Sequence, residues 1–281
     1  MARLRQKLPV IFCIAAYAIW FVGQNGIALL FFKVTGIRGN ALSISGEVGA
    51  ILMMLLVLHF TDRFHLLKDQ GTGLGRGLLM GVAMLCLGAV VAAAMIAINT
   101  QPLNSAPTIL SFCVYMFTVG MAEETLCRGV MAESLLEHFG TGRAGIWKAI
   151  LISSLMFGLT HFVNLVNGAS LAGTVSQALD AFTIGLVFSV IYFRSGNLWV
   201  TILLHAIWDF STMLMVEDGL FVTSTTLSDK ISDMSDAGHI SLFVPVSFAA
   251  LAVFLLHSPK QYAQVGKWFD PYCAKNIKEE K

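Results

Sequence analysis

Three short clusters hold the residues whose types and spacing could do chemistry. "GMAEETLCRGVM" carries Glu123, Glu124 and Arg128, "FGLTH" ends on His161, and "HAIWD" carries His205 and Asp209. Glu124 and Arg128 are four apart, so on a helix they share a face and can pair. Glu123 lies about 100° around the helix, which leaves it without that partner. A carboxyl held in apolar surroundings can be tuned for proton transfer near neutral pH, the task of a general base. His161 follows Phe157 by one turn on the same face. His205 and Asp209 are four apart and share a face of their own.

These residues sit in a very apolar chain. Of 281 residues, 56% are hydrophobic and 12% are charged, and mean hydropathy is +0.75. Soluble domains carry about 25% charged residues. The composition therefore points to an all-α, polytopic transmembrane bundle. Eight spans are expected, roughly at 8–32, 42–60, 77–98, 108–127, 147–163, 173–193, 198–216 and 240–257. The fourth is expected to continue as helix to about Glu137, until Gly140 and Gly142 end it. The first lacks a small-x-small cleavage site and reads as a retained helix.

The expected organisation is three N-terminal spans over 1–106 and a catalytic core over 107–216. An outer loop follows over 217–239, then a last span and cytoplasmic tail over 240–281. Of the 18 Lys and Arg residues, only Lys33, Arg38 and Lys230 fall in the outer loops when the N-terminus is placed inside. That bias predicts both termini in the cytoplasm. The compact chain, with no visible organelle signal, points to a bacterial plasma membrane. The five cysteines show no paired spacing and read as buried thiols.

An ionisable side chain at a helix centre costs about 2.5–3.5 kcal/mol on insertion scales. Counting residues from the expected span ends puts Glu123, His161, His205 and Asp209 within a layer roughly 10 Å thick. Three neighbouring helices then offer two carboxyls and two imidazoles at one depth. Glu47 and Asp180 are also deep, beside small residues, and read as interhelical pairs or cavity lining.

The motifs "EETLCR", "FGLTH" and "HAIWD", in this order on successive apolar helices, resemble the EExxxR, FxxxH and HxxxN/D signatures of the CAAX protease and bacteriocin-processing (CPBP, or Abi) family of intramembrane proteases. The stretch "GLVFSVIYFRSGNLWVTILLHAIWD" resembles that family's linked helix pair. The motif-bearing resemblance covers about 118–212. It implies a glutamate-dependent endopeptidase acting on a membrane-associated peptide or protein in the lipid bilayer. On the matching positions, Glu123 would activate water and His161 would help hold it. His205 and Asp209 would polarise the scissile carbonyl, with Glu124 and Arg128 in support. Eukaryotic members look to carry Asn where this chain has Asp209. Either Asp209 is protonated, or it orients a protonated His205 that does the donating.

No cofactor, bound metal or nucleic-acid partner is expected. Two alternatives remain open. Glu123, His161 and His205 could supply the His₂Glu ligand set of a catalytic zinc. The chain could instead be a catalytically idle scaffold or immunity-type partner. The sequence is silent on oligomeric state.

Overall fold

The computed structural model describes residues 2–68, 71–236 and 243–279. Residues 237–242, which include the end of the expected outer loop and the start of the last expected span, lie outside the described residues.

A short α1 (Ala2–Lys7) leads into α2 (Pro9–Thr35), with proline in its first turn, and then α3 (Asn40–Phe60). The third expected span is two helices, α4 (Leu74–Met80) and α5 (Val82–Ile98), bent by 68° at Gly81. Leu204 packs where a Cβ at position 81 would stand. An apolar run carries no mark of such a bend, which explains why it reads as one straight span.

The fourth span is continuous helix from Ala106 to Phe139, but it changes form along its length. It runs as α6 (Ala106–Glu124), then widens to π turns over Thr125–Ala132, and resumes as α7 (Glu133–Phe139). α8 (Arg143–Thr160), α9 (Leu171–Ser195) and α10 (Leu198–Thr212) follow. The chain closes with α11 (Leu227–Asp236), α12 (Phe243–Leu255) and α13 (Pro259–Glu279).

Among the described residues five helices are long and apolar enough to cross a membrane, or six with α4–α5 taken as one bent span. α10 and α12 are shorter apolar helices; the 15 residues of α10 rise about 22 Å, less than a hydrocarbon core of about 30 Å. The eight expected spans thus each coincide with an apolar helix or helix pair, of which α10 is too short to cross alone and α12 is short among the described residues. The chain is an integral membrane, all-helical bundle.

α9 is the central element. Its apolar window is 72% buried, against 39% or less in the other long spans. It is joined to α10 by a tight turn at Gly196. There φ is +64°, and the Gly196 amide donates to the Tyr192 carbonyl at 2.8 Å. Asn197 then caps α10 by accepting from the Trp199 amide at 3.0 Å. This turn fixes the rotation of α10 and so the direction of His205.

Candidate active site

α6 and α10 touch where both chemistries lie. A Cβ at Gly120 would stand 2.8 Å from the Ile202 carbonyl oxygen, so only glycine permits this approach. One turn beyond Gly120 is Glu124, and three residues beyond Ile202 is His205. Close backbone contact therefore brings these two side chains together. His205 Nδ1 lies 2.8 Å from Glu124 Oε1.

The same oxygen, Glu124 Oε1, accepts from Arg128 Nη1 at 2.7 Å. Glu124 is fully buried and Arg128 nearly so. Arg128 Nη2 also donates to the Gly185 carbonyl of α9 at 3.3 Å. Its guanidinium sits 4.8 Å from the ring centroid of Phe157 and 5.2 Å from that of Phe188. The pairing of Glu124 with Arg128 follows the sequence expectation. The spacing did not show that Glu124 also joins α10, nor that Arg128 is held by α8 and α9. Phe188 and Gly185 lie in the stretch that resembles the family's linked helix pair, but their types and spacing do not mark them as partners of Arg128.

The other ring nitrogen of His205 faces the remaining carboxylates. Its Nε2 is 3.3 Å from Asp209 Oδ2 and 3.6 Å from Glu123 Oε2. Both separations are long beside the bond at Nδ1. The imidazole is stacked on Phe188 at 5.3 Å and meets the edge of Phe157 at 5.9 Å. Fully ionised, this cluster sets three carboxylates against one guanidinium and one imidazolium, a net charge of −1.

Glu123 differs from Glu124 in access. Its side chain is 23% exposed and that of Asp209 18%, whereas Glu124 is sealed. Glu123 and Asp209 are therefore the carboxyls that a water or a substrate can reach.

His161 closes α8. Its Nδ1 lies 3.2 Å from the Phe157 carbonyl, and its ring meets Phe157 edge-on at 5.1 Å. Thr160 Oγ1 lies equally near, 3.2 Å from Nδ1; in the tautomer that donates from Nδ1 to the carbonyl, Nε2 presents a lone pair. His161 lies within electrostatic reach of Asp209 and His205. Among the described residues it makes no hydrogen bond or ion pair with Glu123. The structure thus joins Glu123, Glu124, Arg128, His205 and Asp209 directly and leaves His161 at their edge. Glu47 of α3 pairs across to α2, accepting from Gln24 at 2.7 Å. No three His, Cys, Asp or Glu side chains among the described residues are grouped as metal ligands.

A second buried cluster, absent from the sequence expectations, lies along α7. Arg63 is 3.3 Å from both Glu133 Oε1 and Glu137 Oε1. Tyr192 donates to Glu133 Oε2 at 2.7 Å, and Arg5 pairs with Glu137.

No curated protein and no solved structure matched the chain significantly. The segment that carries all six residues, 105–211, matches the family model described as type II CAAX prenyl endopeptidase Rce1-like.

Proposed function

We propose that this chain hydrolyses a peptide bond of a membrane-associated peptide or protein with a water activated by Glu123. The family match supports membrane endopeptidase activity in general terms. The observation that carries the finer reading is the placing of an accessible Glu123 and a buried His205 Nε2 3.6 Å apart, with Glu124 fixing the opposite ring nitrogen.

The reaction runs as follows. Glu123 takes a proton from water, and the resulting hydroxide oxygen bonds to the scissile carbonyl carbon. His161 Nε2 accepts from the same water and holds it. The carbonyl oxygen gains negative charge and takes the Nε2 proton of His205 as its hydrogen-bond donor. That proton faces Asp209 Oδ2 at 3.3 Å and is shared with the carbonyl oxygen as charge develops on it. Donors placed for developing charge are the largest single source of rate in such sites. Asp209 orients the imidazolium and does not itself face the oxyanion as a donor. The C–N bond then breaks, and the proton held by Glu123 passes to the leaving amine. Together the two products carry the atoms of one water and one amide.

Placing both termini in the cytoplasm fits the distribution of Lys and Arg and is part of this proposal. So is hydrolysis without a metal. A peptide-cleavage assay on H161A and H205A tests the assignment: each variant should lose most activity, and wild-type rates in both would remove it. Cleavage should survive exhaustive chelation, and a loss restored by zinc would establish the zinc alternative.

A further inference from the structure

The helix that carries both glutamates is not α-helical throughout. Over Thr125–Ala132 its hydrogen bonds span one residue more than in an α-helix. Such turns are rare and concentrate at functional sites. Each inserts about one residue of phase, about 100° of rotation, between the helix before and the helix after. The segment must therefore be held open, since closing it would restore the better ladder.

The sequence places a holding group at each end. Thr125 Oγ donates back to the Met121 carbonyl at 2.7 Å, and Ser134 Oγ to the Val130 carbonyl at 2.5 Å. These hydroxyls add a side-chain donor beside the ladder, since the Met121 carbonyl also receives the Thr125 amide, and such back-bonding bends a helix. At the second end a third group joins them. Arg63 Nη1 donates to Ser134 Oγ at 2.7 Å and reaches the Val130 carbonyl at 3.4 Å. Its other arm faces Glu133 and Glu137 at 3.3 Å each. Arg63 is 2% exposed, so these contacts are made without competing water. One guanidinium thus grips the last π turn and the first turn of α7 together.

Upstream, the same π run carries Arg128, which must reach Glu124, the Gly185 carbonyl and the two phenylalanine faces at once. We propose that Arg63 is a positioning residue for the candidate active site. By clamping Val130, Glu133, Ser134 and Glu137, it keeps the π turns open and so aims Arg128 at Glu124, and Glu124 at His205. This rests on the endopeptidase reading for its catalytic consequence, but its structural consequence is independent of that reading.

The test uses the full-length protein in lipid or detergent, as parent, R63M, R63K and S134A. R63K keeps charge beside Glu133 and Glu137 but loses the second arm to the π run, which serves if R63M does not fold. Peptide cleavage gives kcat and KM per folded molecule. Histidine-selective ¹⁵N NMR, assigned with H205Q, reports the Glu124 bond at His205 Nδ1 whether or not peptide is cleaved.

The folded Arg63 variants should lose kcat by about tenfold to a hundredfold, the scale on which a misplacement of about 1 Å acts, while KM stays within about twofold. S134A should follow in the same direction to a smaller extent. The His205 ¹⁵N resonances should shift in each. A lower melting temperature with unchanged kcat and unchanged His205 resonances would make Arg63 a purely structural anchor and overturn the proposal. If the parent cleaves nothing, the endopeptidase reading fails, and the His205 resonances alone decide the positioning role.

Discussion

Glu124 Oε1 is shared by His205 Nδ1 at 2.8 Å and Arg128 Nη1 at 2.7 Å. One fully buried oxygen therefore ties a turn of its own helix to α10. Its charge is matched within the cluster, so the segment can stay helical at depth. The same bond leaves His205 Nε2 pointing at Asp209 and Glu123, where the chemistry is proposed.

Removing one partner of a buried pair leaves an uncompensated charge, at a cost of about 3–5 kcal/mol. R128M and E124Q should each lower folded yield and melting temperature. The double variant should recover much of the yield but not the cleavage activity, because His205 has lost its fixed partner. A double variant as unstable as the sum of the two singles would show that the residues stabilise the fold independently.

Gly120 gives a packing test of the same contact. A methyl group there meets the Ile202 carbonyl oxygen at 2.8 Å, and such overpacking costs about 1–3 kcal/mol. G120A should lower the melting temperature and also the cleavage rate, since it pushes α6 off α10 at the level of Glu124 and His205. Normal activity in a destabilised G120A protein would separate the helix contact from the site.

Lys230 of α11 supplies a pH dependence outside the spans. It donates to the Thr212 carbonyl at the end of α10. Burial pushes its pKa down to about 8 from 10.5, although the nearby Asp209 charge opposes the shift. Between these values the unfolded chain binds more protons than the folded one, so this group makes stability rise as pH increases through that window. Below about pH 8 both states are protonated and its contribution is level. Relative to K230M, the parent should gain melting temperature between pH 7.5 and pH 10, taken as roughly the limits of that window. A parallel pH profile for the two proteins would contradict the burial of this cation.

The candidate site residues stand out in the sequence for a physical reason. Charge at membrane depth is costly, so each ionisable residue in an apolar run marks a packing or chemical task. Local spacing then separated Glu124, which has Arg128 one turn on, from Glu123, which has none. What stayed hidden was geometry set by distant partners. The π turns leave no trace in an i, i+4 spacing. Arg63 meets Glu133 and Glu137 from the turn that follows α3, and no local period announces that encounter. The bend at Gly81 and the closeness of Gly120 to Ile202 likewise depend on α10, not on the runs in which those glycines lie.

The central claim is that Glu123 is the base. Its side chain is 23% exposed and lies 3.6 Å from His205 Nε2, so E123Q should fold with little change. The decisive measurement is kcat for peptide cleavage by E123Q at the yield and melting temperature of the parent. A general base contributes about 10²–10⁴-fold, and the account predicts a loss of that size with KM nearly unchanged. Parent-like kcat in folded E123Q would contradict it.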